Sequence, residues 1–280
     1  LMDNLFHKLE DLSKVELVNL LNSIFSDYVL RMHWTLESFE RDVRENNISL
    51  SESFVMEVKG EYAGVVLLSF RGKRAKIDLM GVLSSFRREG IGFRMVDEAL
   101  KIAKWNGCEQ IVLEVPEKDS AAIAFYEKYG FRHKRNLITF FIKRPGTKGF
   151  SLKKSDSSRI IECALSAISN FKRNPEWERE PSSFTHLEQY NFDFVENSEG
   201  KERGYCIWQE KDSLFYVRDA GPVKSSSYRE IIGGLCGIAK DKGLTPLFPT
   251  VPDDDPLFLE ATELDPEVLL KQSEMIYKIH

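Results

Sequence analysis

Residues 82–98 read VLSSFRREGIGFRMVDE, the end of an apolar strand, a basic glycine-punctuated turn and the start of an amphipathic helix. Within the turn, Arg87-x-x-Gly90-x-Gly92 places two residues without a Cβ where the backbone N–H groups of a strand-to-helix turn point outward, at the positive end of the helix dipole. Such a turn binds phosphates. Arg87, Arg88 and Arg94 surround it with positive charge, so the local field favours a polyanion. Two other phosphate loops fail against the letters. A dinucleotide fingerprint needs a third glycine three residues after the second, where Met95 stands, and a Walker A loop needs Gly-Lys-Ser/Thr, where Gly92 is followed by Phe93 and Arg94.

Downstream, Met95, Val96, Ala99, Leu100, Ile102 and Ala103 recur at helical spacing until Asn106-Gly107 stops the helix. A strand over residues 110–115 follows. Asp119 or Ser120 then caps a second helix that Gly130 ends. From Val82 to Phe131 the chain resembles the GNAT-type N-acetyltransferases. Their pyrophosphate loop has the pattern Arg/Gln-x-x-Gly-x-Gly/Ala, preceded five positions upstream by a small apolar residue, here Val82. Their later segment, Asn-x-x-Ala-x-x-x-Tyr-x-x-x-Gly-Phe, is matched by Ala122, Tyr126, Gly130 and Phe131. Asp119 stands in place of the asparagine. It still caps the helix but has no amide hydrogen to donate to a pantetheine arm.

The resemblance implies acetyl-CoA as cosubstrate and a primary amine as acceptor, with direct attack in a ternary complex and no metal. The implied cofactor contacts are Met80, Gly81, Val82, Arg87, Arg88, Glu89, Gly90, Ile91, Gly92, Phe93, Asp119 and Tyr126. Backbone N–H groups at Met80–Val82, where two strands splay, would hold the thioester carbonyl, and Tyr126 would protonate the departing sulfur. The general base in such enzymes is often a carboxylate on the central strands, or a water held by one, which nominates Asp78 and Glu114. Strand alternation puts Asp78 on the face of Met80 and Val82. A solvent-exposed charge is the plainer reading of either carboxylate, and a core aromatic that of Tyr126. Two other classes of function compete: a non-catalytic acyl-CoA sensor, and an interaction protein that keeps only the fold.

At 280 residues the chain exceeds one ordinary core, so two domains are expected. A composition of 42% hydrophobic and 30% charged residues is that of a soluble protein, and no apolar run reaches the ~20 residues of a membrane span. A net charge of −5 argues against nucleic-acid binding. Cys108, Cys163, Cys206 and Cys236 lack paired spacing and no signal peptide precedes them, which predicts reduced thiols and a cytoplasmic protein. The five histidines show no ligand spacing, so no metal is expected. Leu1, ahead of Met2, is read as foreign to the natural start and left out of the fold reading. A homodimer is left open.

Periodicity predicts helices over 14–28 and 35–45, strands over 54–58, 63–70 and 75–83 joined by turns at Gly60 and Gly72, and a closing strand over 137–142. The expected fold class is mixed α+β, a mostly antiparallel sheet flanked by helices. The second half reads as a worn copy. A shift of 136 aligns Ile102, Ala103, Gly107, Val115, Pro116 and Asp119 with Ile238, Ala239, Gly243, Val251, Pro252 and Asp255. Phe150–Phe171 repeats the strand-then-helix texture of Phe6–Phe25, and Gly221 takes the place of Gly81.

Tandem acetyltransferase-like domains over 2–145 and 149–280 are therefore expected. The second is degenerate, because the stretch from Val223 to Tyr228 replaces the glycine loop with a turn four residues shorter, and Thr262 stands where Tyr126 would map. Gly233, Gly234 and Gly237 fit close helix packing better than phosphate binding. The acidic residues Glu37, Glu40, Asp42 and Glu45 are expected along the acceptor groove. The segment 173–181 around Trp177 is either a reaching loop or a packed core.

Overall fold

Short-range chemistry sets the first elements of the computed structural model, which describes residues 4–30, 32–223 and 225–280. Strand β1 (Asn4–Lys8) leads into helix α1 (Lys14–Ile24), whose N-terminal N–H groups are capped by Ser13 accepting from Glu16 N. Helix α2 (Leu36–Glu45) begins with a reciprocal capping box between Thr35 and Ser38. Strands β2 (Phe54–Val58), β3 (Glu61–Arg71) and β4 (Arg74–Val82) form the expected meander. Then come α3 (Ile91–Trp105), β5 (Gln110–Pro116), α4 (Ser120–Tyr129) and β6 (Arg132–Phe141). Gly130 ends α4 at φ +118°, a conformation that a side chain at this position would resist.

The second half supplies β7 (Phe150–Lys154), α5 (Ser157–Phe171), the short α6 (Pro181–Phe184), β8 (Asn191–Asn197), β9 (Glu202–Lys211) and β10 (Leu214–Pro222). It closes with α7 (Tyr228–Asp241), β11 (Thr245–Pro252), α8 (Pro256–Ala261) and β12 (Glu267–Lys278). The repeat read from the letters is matched by the strand register. Gly64 pairs with Val82 and Val65 with Gly81, while Gly204 pairs with Pro222 and Tyr205 with Gly221, the same pairs moved by 140 residues. Even the irregularity repeats: one residue of β4, Asp78, and one of β10, Arg218, bulge out of their ladders at corresponding positions.

The first compact unit comprises Leu1–Lys134 with Ser273–His280, and the second comprises Arg135–Gln272. This division differs from the expected boundaries at 145 and 149. In the first unit the sheet order is β1-β2-β3-β4-β5 and then the end of β12, whose Met275 is fully buried in that core. In the second, β6 lies beside β11, followed by β10, β9, β8 and β7. The last strand of each repeat thus completes the sheet of the other. The segment 137–142, expected to close the first domain, belongs to the second unit. Periodicity reveals that a strand exists but not its partner, because pairing is a non-local choice.

The first unit buries its sheet on both faces. Met56, Val66 and Ile77 pack with Met95, Val96 and Ala99 of α3, and Val55, Val65 and Leu67 pack on the opposite side with Leu17 and Leu21 of α1 and Phe39 of α2. In the second unit the helical glycines serve packing, as their spacing implies. Thr147 N donates to Gly233 O at 2.8 Å, and a Cβ on Gly237 would lie 2.2 Å from Thr147 O. Gly237→Ala should therefore destabilise the protein by about 1–3 kcal/mol, the usual cost of overpacking, measured as a lower urea midpoint at unchanged slope.

Trp177 and Arg179 are buried, so the segment 173–181 is core rather than a reaching loop. The cysteines are unbridged, and three of the four are buried. No helix among the described residues is long and apolar enough to cross a membrane, and no group of three or more His, Cys, Asp or Glu there could hold a metal. Leu1 and Met2 lie outside the described residues.

Candidate active site

The pairing of β4 with parallel β5 stops at Ile77 and Leu113, although both strands run on, to Val82 and Pro116. Beyond that point β4 stays paired with β3 on one side, Met80 with Val66 and Val82 with Gly64, while its other edge faces a gap. Backbone N–H and C=O groups along such an edge need partners, and a ligand arm can supply them. This is the splay expected at Met80–Val82.

Two cavities meet at the splay. One, of about 850 Å³, is lined by Arg88, Gly90, Ile91, Gly92, Phe93 and Phe125, among others. The other, of about 440 Å³, is lined by Phe25, Asp27, Tyr28, Asp78 and Glu114, among others. Met80, Gly81, Val82, Arg87, Asp119 and Tyr126 line both. The sequence-predicted residues are thus brought together, except that Glu89 is an exposed turn residue lining neither cavity. The acidic segment expected along the acceptor side is also elsewhere. Glu40 pairs with Lys14 and Asp42 accepts from Trp34 Nε1, and none of Glu37, Glu40, Asp42 or Glu45 lines the second cavity.

The turn has the form its glycines require. Gly90 caps α3 at φ +77° and Arg88 also takes a left-handed φ of +69°. The first N–H groups of α3 have no acceptor within the helix and open toward the larger cavity. A Cβ on Gly92 would come within 3.1 Å of the Phe125 ring, so glycine at this position keeps the floor of the groove low. Arg88 makes no hydrogen bond or ion pair with another described residue. Arg87 is fully engaged elsewhere: Nη1 and Nη2 donate to the two carboxylate oxygens of Asp27 at 2.6 and 2.7 Å, and Nε donates to Val82 O at 2.9 Å. The hydrogen bond from Arg87 holds the exposed Asp27 carboxyl below its usual range.

Tyr126 sits at the junction, 8% exposed, with its ring edge-on to Phe125 and Phe131. Its hydroxyl has no hydrogen-bond partner among the described residues. Burial, then the nearby Tyr28 and Asp119, push its pKa well above the ordinary 10, so it stays protonated. Tyr28 is pushed up to about 12 by burial and by Asp119. Asp119 caps α4 by accepting from Ala122 N at 3.0 Å, the role its position implied.

Neither Asp78 nor Glu114 is a solvent-exposed charge, and Asp78 is not on the face where alternation placed it. Their side chains are 8% and 13% exposed, and both flank the buried Lys76, whose Nζ lies 2.8 Å from Glu114 and 3.8 Å from Asp78. Asp78 also accepts from Ser69. The bulge at Asp78 resets the alternation: Ile77 and Met80 both pack in the α3-side core, while Leu79 packs in the α1-side core. Asp78 therefore lies on the face opposite Met80 and Val82. Asp27 and Tyr28, which line the smaller cavity, and Lys76, which sits between Asp78 and Glu114, are not marked by anything local in the sequence, and Asp27 meets Arg87 across 60 residues of chain.

Residues 15–131 match the acetyltransferase (GNAT) family. The first unit belongs to the GNAT family. Over 103 residues the chain is 29% identical to N-alpha-acetyltransferase 30 of Schizosaccharomyces pombe, covering 35% of this chain and 67% of that protein. Over 92 residues it is 37% identical to an acetyltransferase of Photorhabdus laumondii, covering 32% of this chain and 63% of that protein. The chain thus spans about two thirds of the length of these curated relatives. The fold of the whole chain is that of a tandem GNAT protein from the clavulanic acid biosynthesis pathway, with a TM-score of 0.68 at 13% identity, covering 100% of this chain and 99% of that one.

At the corresponding positions of the second GNAT-like unit the side chains are buried. Its turn carries no glycine pair; of its residues, Lys224 lies outside those described. Tyr228 stands where Gly92 does, 136 residues on, and is 2% exposed. Arg173 is buried against it, 5.6 Å from the ring centroid, and donates to Asp219 at 2.9 Å and to Asp255 at 3.0 Å. Asp255 is the counterpart of Asp119, and Asp219 that of Leu79, both cavity-lining in the first unit. Arg173 is thus packed among residues at these corresponding positions.

Proposed function

We propose that the first unit transfers an acetyl group from acetyl-CoA to a primary amine by direct attack in a ternary complex. The observation that carries this reading is the meeting of two cavities at one strand splay, with a buried, protonated Tyr126, its hydroxyl unpartnered among the described residues, lining both. The pyrophosphate would lie on the N–H groups opening α3, with Arg88 beside it, and the pantetheine arm along the free edge of Met80–Val82. The amine enters from the smaller cavity. Its nitrogen forms a bond to the thioester carbon as the C–S bond breaks. Backbone N–H at the splay stabilises the oxyanion, and Tyr126 gives its proton to the leaving sulfur. The proton lost by nitrogen passes to the Asp78–Glu114 pair, directly or through water, with Lys76 fixing both carboxylates. Asp27, Asp78, Glu114 and Asp119 line the smaller cavity against Arg87 and Lys118, which favours a cationic acceptor.

Saturating acetyl-CoA should raise the melting temperature, because a ligand that binds only the native state stabilises it. A panel of amines, including small-molecule amines, aminoglycoside-like compounds, peptide N-termini and protein lysines, should contain acceptors that release free coenzyme A thiol. Absence of a thermal shift would refute the cofactor reading, and a shift without thiol release from any acceptor would favour an acyl-CoA sensor. On this mechanism the alkaline side of the kcat profile stays flat through pH 10, since burial keeps Tyr126 protonated beyond the ordinary tyrosine value. A decline beginning at or below pH 9 would contradict that role.

A further inference from the structure

Two arginines follow one another in the phosphate turn, and the structure gives them different surroundings. Arg88 lines only the cofactor cavity and is unpaired among the described residues. Arg87 lines both cavities and spends four of its five N–H donors within the protein: two on Asp27, one on Val82 O at 2.9 Å, and one on Ile24 O at 3.3 Å. Ile24 O is one of the last carbonyls of α1, which the helix itself leaves without a donor. Val82 O belongs to the strand end where the thioester is proposed to lie.

A swing of Arg87 toward a phosphate would break a bidentate carboxylate pair and strip two backbone carbonyls of a donor. Arg88 needs no such release. An exposed ion pair alone holds little, but this one is bidentate and is braced by the two carbonyls.

We propose that Arg87 is a positioning residue rather than a phosphate ligand: with Asp27 it pins the end of α1 to Val82, fixing the wall of the acceptor cavity, and leaves phosphate charge to Arg88 and the α3 N-terminus. The proposal rests on the coenzyme A reading above. Phe25, Asp27, Tyr28 and Val29, which follow directly on α1, make up that wall. Removing either partner of the clamp should loosen the wall without a selective loss of phosphate affinity.

The test compares Arg87→Gln, Arg88→Gln, Asp27→Asn and Asp27→Glu with the unaltered protein, measuring calorimetric Kd for coenzyme A and for 4′-phosphopantetheine, which lacks the pyrophosphate. Hydrogen exchange of the amides over 25–29 is followed in parallel. Arg88→Gln should weaken coenzyme A about tenfold relative to phosphopantetheine, the effect of losing a charge-assisted contact. Arg87→Gln and Asp27→Asn should leave the ratio of the two affinities unchanged and speed exchange over 25–29, with Asp27→Glu restoring protection. A selective loss of coenzyme A affinity in Arg87→Gln, with tighter coenzyme A binding in Asp27→Asn, would overturn the proposal. So would exchange over 25–29 that neither substitution alters. If the unaltered protein binds neither ligand, the coenzyme A reading falls and the exchange comparison alone decides whether the clamp exists.

Discussion

Arg173→Ala should be the most destabilising single change in the chain, by about 3–5 kcal/mol, because it removes the guanidinium that two buried carboxylates share. Asp219 and Asp255 have side chains 1% and 0% exposed, and Arg173 lies between them at 1%. Arg179 still reaches Asp219 at 3.2 Å and the Tyr205 hydroxyl donates to it at 2.8 Å, so that carboxylate keeps two partners, but Asp255 loses its one guanidinium partner among the described residues and keeps only the Leu257 N–H. Burial works to raise the pKa of Asp219 and the charge of Arg173 overcomes it, leaving the group below the ordinary 3.8. A lowered folded-state value means this stabilisation is fully present above the unfolded pKa and is lost as pH falls through the folded one. The network should therefore hold at neutral pH and fail in strong acid. Urea unfolding followed by tryptophan fluorescence, with Trp177 buried nearby in the chain, measures the loss; a change under about 0.5 kcal/mol, as for an ordinary surface substitution, would show the network to be dispensable.

Tyr126→Phe should lower kcat by about 10²- to 10⁴-fold, the usual contribution of a positioned acid, while leaving the affinity for acetyl-CoA unchanged. The hydroxyl has no partner among the described residues, so its removal costs no hydrogen bond with them, and the ring contacts with Phe125 and Phe131 survive. The loss should shrink with acyl donors whose thiol leaves more readily, since these need less help from an acid. An undiminished kcat would make Tyr126 a core aromatic, the plainer interpretation of its position in the sequence.

What was legible in the letters was local. Arg87-x-x-Gly90-x-Gly92 specifies a turn because its geometry depends on residues that are neighbours in sequence, and Asp119 and Gly130 mark the ends of α4 for the same reason. The repeat was legible because an offset of 140 before the turn and 136 after it preserves pairing, helix and cap alike. The rest depends on contacts that periodicity does not encode. A single extra residue at Asp78 reverses a face assignment, β6 and β12 exchange sheets, and Arg87 pairs with Asp27 across 60 residues of chain. Arg173 was passed over because a charged, proline-rich segment resembles a surface loop until its carboxylate partners are known.

With two GNAT-like units, the chain should keep one working cofactor site, in the first unit. Isothermal titration with acetyl-CoA tests it most directly. The predicted result is one binding site per chain. Two sites would contradict the loss of the second unit's site that the buried Arg173 implies, and the absence of binding would contradict the cofactor loop itself.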